Sequence, residues 1–208
     1  MLANIISVEE EAENFQLVTL RDAKLALNIP ESSTSSDAQL ELLIKWCSEE
    51  IAIMCNRNFA QESVTERFSD FDNAPRLFLS YAPVKEIVSV TDDDVVIDPA
   101  DYVVDVRNGI LSMEWWSGAT VIQYTGGYDL PFKTPPGLSQ AALLMVKEAY
   151  YGAIRGDASI RMVAHKESRV MYFDPNAAAA KAGGSGSGGS PARKAIDRLL
   201  MRYTRFFI

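Results

Sequence analysis

The chain has 208 residues, 48% of them hydrophobic, and a formal net charge of −8. That length suits one domain with appendages around a real core, and the acidic balance excludes strong non-specific grip on nucleic acid, which depends on Lys and Arg displacing counterions from phosphates. No apolar run approaches the ~18–20 residues of a membrane span, and the start Met1-Leu2-Ala3-Asn4 has no signal-peptide core, so a cytoplasmic origin without membrane contact is expected.

Residues 1–16 hold Glu9, Glu10, Glu11 and Glu13 with few core candidates, and read as a mobile acidic arm. Leu17–Asn28 (LVTLRDAKLALN) reads as a short helix. Thr19 and Asp22 have the spacing of an N-terminal cap, and Leu20, Ala23 and Leu27 make one apolar face. Pro30 and the run Glu31–Ser36 end it, and Ser36 with Gln39 is spaced as a second capping box.

The next helix, Ser36–Cys55, carries Leu40, Leu43, Ile44, Cys47, Ile51 and Met54 as one stripe at helical spacing. Leu42, Trp46 and Ile53 form a second apolar patch to one side. A surface helix of a monomer needs one stripe. Two suggest burial from two sides, either inside a larger core or by the core and a neighbouring subunit. The two cysteines, Cys47 and Cys55, sit eight residues apart in this helix. That is about 12 Å along the axis, too far for a disulfide, so buried free thiols are expected.

From Val64 to Thr125 the periodicity becomes strand-like, in the runs Val64–Phe68, Arg76–Leu79, Val84–Thr91, Tyr102–Val106, Ile110–Met113 and Thr120–Tyr124. Asn108-Gly109 predicts a hairpin with a type I′ turn, whose two central residues both need φ > 0. Asp92-Asp93-Asp94 predicts another turn; the spacing of a calcium loop does not follow it. Trp115 and Trp116 are adjacent, so in a strand they face opposite sides, one toward the core and the other toward an interface.

Pro131, Pro135 and Pro136 punctuate the return to a largely apolar helix, Leu138–Gly156. Residues 158–190 read as an extended arm followed by a flexible linker, Gly183–Ser190 (GGSGSGGS), with a short strand or arm at Val170–Phe173. Ser190 and Pro191 make a good helix start. The final segment, 191–208, has apolar Ile196, Leu199, Leu200, Tyr203, Phe206 and Phe207, and a basic stripe of Lys194, Arg198, Arg202 and Arg205.

Chemistry is sparse. Gly184-x-Gly186-x-x-Gly189 matches a dinucleotide fingerprint in spelling only, because no strand leads into it and no βαβ unit surrounds it. His165 is the one histidine, and Ser168 beside it sits in no nucleophile elbow. A zinc site lacks ligands. No catalytic residue, cofactor or metal is expected. The sharpest signal is the C-terminal amphipathic stretch. A short helix on a tether cannot stand alone, so it packs either on its own domain or in a partner's groove.

Four elements resemble, in order, the head–tail connector (adaptor) family of tailed bacteriophages. They are Thr19-Leu20-x-x-Ala23-Lys24-x-x-Leu27, the helix ending Asn56-Arg57-Asn58-Phe59, Gly126-Gly127-Tyr128-Asp129 with Pro135-Pro136 leading into Ala149-Tyr150-Tyr151, and a terminal Leu199-Leu200-x-x-Tyr203-x-Arg205. The resemblance implies an α+β, mainly α fold: a helical bundle over residues 17–157, an inserted small antiparallel β-rich element over 64–125, and a C-terminal arm and helix. It implies a virion protein assembled in the host cytoplasm. Such a protein forms a ring, typically twelvefold, below the portal protein, through which genomic DNA passes without sequence-specific binding, and it offers a platform to a tail, nozzle or stopper protein. Portal docking would map to Ile196, Arg198, Leu199, Leu200, Arg202, Tyr203, Arg205, Phe206 and Phe207. Leu42, Trp46 and Ile53 would serve the subunit interface. Truncation before Pro191 is then expected to abolish portal binding and leave the domain folded. The alternatives are a small hydrolase or nucleotide-binding enzyme with a site near His165, and a monomeric scaffold-binding module.

Overall fold

The computed structural model describes residues 3–69, 75–116, 118–154, 162–165, 168–171 and 191–205. They divide into two compact units, one chiefly of residues 3–15 and 52–134, the other chiefly of 16–51 and 135–205.

The first unit is all strand apart from the last turn of a helix. Its strands are β1 (Ala3–Glu10), β2 (Glu62–Ser69), β3 (Arg76–Phe78), β4 (Val84–Asp92), β5 (Val95–Val96), β6 (Val103–Asp105), β7 (Ile110–Ser112) and β8 (Thr120–Gly126). A five-stranded sheet runs β1-β2-β8-β4-β5 and a three-stranded sheet runs β3-β7-β6, with every pairing antiparallel. Alternation explains the core. Val64, Phe68, Ile122, Tyr124 and Val90 come from the larger sheet, and Leu77 and Leu111 from the smaller one. Leu79, Tyr81 and Trp116 join them from the connections. Each such side chain, once buried, contributes about 1.5–3 kcal/mol. Trp116 is fully buried and Trp115 exposed, on opposite sides although the two lie outside the strands.

Two turn assignments change places with respect to the sequence reading. The β6–β7 hairpin exists, but Asn108 keeps negative φ and only Gly109 is left-handed (φ +65°). The connection is four residues long, with the Asp105 carboxylate accepting from the backbone and side-chain amides of Asn108. The type I′ requirement is met instead at the β4–β5 turn, where Asp93 and Asp94 have φ of 47° and 62°. The third aspartate, Asp92, is buried and accepts from Thr120 Oγ1 at 2.7 Å.

The second unit holds α1 (Leu20–Ala26), most of α2 (Asp37–Cys55), α3 (Pro136–Ile154), the hairpin β9 (Met162–His165) and β10 (Ser168–Met171), and α4 (Pro191–Leu200). The capping box is present: Thr19 Oγ1 accepts from Asp22 N while the Asp22 carboxylate accepts from Thr19 N. Lys24 is nearly buried. Its ammonium meets Asp37 Oδ1 at 2.6 Å and donates to the carbonyls of Glu31 and Ser33, which pins the α1–α2 loop. Ser36 Oγ lies 3.4 Å from Tyr150 Oη on α3. Along α2, Leu40, Ile44, Cys47, Ile51 and Cys55 are buried, and α3 buries Leu138, Ala141, Ala142, Met145 and Val146. α3 packs against α1 and α4.

The mainly α expectation is wrong. Ten strands stand beside four helices among the described residues, and two antiparallel sheets form a compact unit with its own core rather than a small insert in a bundle. The segment read as a mobile arm supplies β1, paired with β2 from Ala3↔Ser69 to Glu10↔Ser63. The mistake has a physical source. An edge strand that covers no core shows no inward-facing alternation. Three strands that contribute to the core, β3, β6 and β7, are only three residues long, so their periodicity is hard to read. The tract at 183–190 and Phe206–Phe207 lie outside the described residues.

Candidate assembly surfaces

Two of the family-like motifs meet in space in the first unit. α2 ends in a Schellman arrangement: Asn56 is left-handed (φ 50°), Asn56 N donates to Ile53 O, and Arg57 N donates to Ala52 O. The exit chain is then held on three sides. The Arg57 guanidinium lies 5.5 Å from the Phe59 ring centroid and donates to the carbonyl of Ala82. Asn58 Nδ2 donates to Tyr81 Oη at 2.9 Å. Tyr128 N donates to Phe59 O at 2.8 Å, and Gln61 N to Tyr128 O at 2.9 Å. The glycines permit this approach. A Cβ on Gly126 would stand 2.3 Å from Tyr81 O, and one on Gly127 (φ +105°) 2.2 Å from Ala60 O. The motifs are therefore architectural: they stop a helix and seat its exit on the end of β8.

Next to this junction lies a buried polar cluster that the sequence reading missed. Glu66, fully buried in β2, accepts from Ser80 N at 3.0 Å, Ser80 Oγ at 2.6 Å and Tyr124 Oη at 2.6 Å. Tyr81 N donates to Tyr124 Oη. Burial pushes the Tyr81 phenol up to about 12, helped by a hydrogen bond to Glu62. A charged residue at an inward position of a strand is the signal that could have found this cluster, since such a group must be hydrogen-bonded.

The structure separates the anticipated interface residues. On α2, Leu42, Trp46 and Ile53 are 69%, 54% and 67% exposed, while Leu40, Ile44, Cys47 and Ile51 of the principal stripe are buried and Leu43 and Met54 half-buried. Spaced by four and seven residues, they share one helix face as an exposed apolar stripe. On α4 the anticipated anchors divide. Ile196 and Leu200 are buried, with α4 packed on α3, and Leu199 is half-buried. Tyr203 is half-buried, with its ring facing Gly137 at the start of α3. Arg198 and Arg202 are exposed and Arg205 half-buried. Truncation before Pro191 would remove the buried Ile196 and Leu200 together with the exposed face of α4.

His165 and Ser168 are backbone partners across the β9–β10 hairpin, and that pairing accounts for their proximity. Among the described residues, no group of three or more His, Cys, Asp and Glu could hold a metal ion, and no helix is long and apolar enough to cross a membrane.

Comparison with known proteins gives one family and one fold. The model of the family "Head completion protein" matches residues 16–153. No curated protein matches the sequence. Three solved chains share the fold at 12% identity, each covering 98% of this chain and 97% of its own length. They are described as the neck of an empty GTA particle computed with C6 symmetry (TM-score 0.59), the virion of a native gene transfer agent particle (0.58), and the neck of a native GTA particle computed with C12 symmetry (0.57).

Proposed function

This chain belongs to the head completion protein family, and from that premise we propose that it is a structural head-to-tail adaptor in the neck of a phage-like particle. Its copies form a ring below the portal protein, extend the DNA channel, and offer the lower face to a tail, nozzle or stopper protein. The chain is not an enzyme. The observation that carries this reading is the match of its fold, over 98% of its length, to chains described as belonging to virions and necks with C6 and C12 symmetry. A closed ring of identical subunits needs two different patches that fit each other. The exposed Leu42–Trp46–Ile53 stripe supports one of them.

Portal docking falls to the outer face of α4 and the turn at its C-terminal end, through Arg198, Arg202 and Arg205, since Ile196 and Leu200 are occupied within the chain. The net charge of −8 per subunit accumulates around a ring and keeps passing phosphates from adhering. Electron microscopy of the chain mixed with the portal from the same source tests this reading. A ring of added density below the portal is expected. A folded protein that adds none refutes it. Arg198→Glu with Arg202→Glu should abolish the added density without unfolding the chain.

A further inference from the structure

We propose that the free edge of β1 receives the β9–β10 hairpin of a neighbouring copy, continuing the five-stranded sheet across the subunit boundary. This inference rests on the ring reading above.

Two elements of the chain each lack what the other offers. β1 has a single partner strand, β2, and forms the outer edge of its sheet. Ile5 through Glu10 are all exposed, Ile5 at 64%, although Ile5, Ile6 and Val8 are apolar. Edge strands are usually protected by proline, lysine, bulges or shortness. β1 runs eight residues without proline or lysine; its two glutamates and its one irregularity, between Val8 and Glu10, fall at the C-terminal end, and Ala3 to Val8 is regular and uncharged. It presents an unblocked row of backbone donors and acceptors.

The hairpin has the complementary deficit. It consists of four cross-strand pairs, from Ser168↔His165 to Met171↔Met162. Among the described elements, its two strands pack substantially only on each other. A two-stranded ribbon of that length is marginal in water, and a third strand is the usual remedy.

Charge favours bringing the two together. Residues 1–16 carry four glutamates and no Lys or Arg. Among the hairpin's described residues Arg169 is basic and none is acidic, in a chain that is acidic overall. Pairing of β1 with β1 would satisfy the same hydrogen bonds, but it is isologous and stops at a dimer. Pairing of β1 with a hairpin uses two different surfaces and propagates around a ring.

The test mixes full-length variants. Ser7→Cys is combined in turn with eight partners, each carrying one added cysteine at a position of Met162–His165 or Ser168–Met171, and assembled on the portal under mild oxidation. Neighbouring strands hold Cα atoms about 4.5–5.5 Å apart, within disulfide reach. The native Cys47 and Cys55 are buried and give little background. A mixed disulfide dimer at the positions in register is expected. Independently, Arg169→Glu should weaken assembly several-fold at low salt, and Glu10→Lys should restore it. Rings that form without any mixed disulfide, or with Ser7→Cys linked only to itself, overturn the pairing and leave the adaptor reading standing. Failure to form rings on the portal overturns both.

Discussion

The amide of Tyr128 donates to the carbonyl of Phe59 at 2.8 Å, and the amide of Gln61 returns the bond to the carbonyl of Tyr128 at 2.9 Å. This exchange joins the exit of α2 to the end of β8, two places about as far apart in sequence as the β-region is long. It depends on Gly127, whose φ of +105° and 2.2 Å clearance to Ala60 O leave no room for a side chain. Gly127→Ala should therefore cost upwards of 3 kcal/mol, since strain and a backbone clash add, and natural domains hold only about 5–15 kcal/mol in total. Urea denaturation checks it. A midpoint close to wild type would mean that the junction is looser than described.

Tyr124→Phe should destabilise by about 1–3 kcal/mol with little change of volume. The substitution removes one donor from the buried Glu66 carboxylate and the acceptor of Tyr81 N at once. Glu66→Leu discriminates the cause. It replaces the carboxylate by an apolar group but leaves Ser80 N, Ser80 Oγ and Tyr124 Oη without that acceptor, so it should be at least as damaging. Both are read from thermal unfolding, where each kcal/mol shifts the midpoint of a chain this size by about 2–4 °C.

Trp46→Ser combined with Leu42→Ser should leave the monomer's stability within about 1 kcal/mol, because both side chains are mostly exposed and fill no core. Ring formation should fall at least about tenfold, as expected when the apolar centre of an interface is removed. Mass photometry in the presence of portal reads both species. Undiminished rings would remove this helix face from the interface.

Alkaline pH should expose the buried acids. Burial, with Glu50 nearby, raises the Cys47 thiol from 9.0 to about 12, and burial raises the Tyr81 phenol from 10.0 to about 12. In the unfolded chain both groups lose their protons first. Their contribution to stability is thus complete below pH 9, and fades as pH climbs toward 12. The urea midpoint should fall above about pH 9, and less steeply in Cys47→Ala when each protein is referred to its own neutral value. Native Cys47 should also resist thiol reagents at about pH 8, where the thiolate is scarce. Rapid labelling of the folded protein would contradict its burial.

Much of the local structure was legible because it rests on neighbours in sequence. Thr19 and Asp22 are three residues apart and cap α1 as read. The α2 stripe follows from helical spacing, and Leu40, Ile44, Cys47 and Ile51 of it are buried. The β4–β5 turn was placed correctly, although the left-handed pair proved to be Asp93-Asp94 rather than Asn108-Gly109. A short polar side chain tolerates positive φ when the strands on either side demand it, and no dipeptide rule records that demand.

The sequence by itself determined the helices, most of the runs of strand between residues 64 and 125, and the motifs that resemble those of its family. Tertiary structure decided what those pieces are for. It turned an acidic arm into β1, made a second core partly out of strands as short as three residues, joined Phe59 to Tyr128, and took Ile196 and Leu200 into the chain's own interior. The reason is the range of the forces. Caps, helical spacing and turns act over a few residues and leave a periodic trace. Strand pairing and burial act between residues far apart in the chain, and whether an apolar face meets its own core or a neighbour is fixed only once the chain has closed on itself.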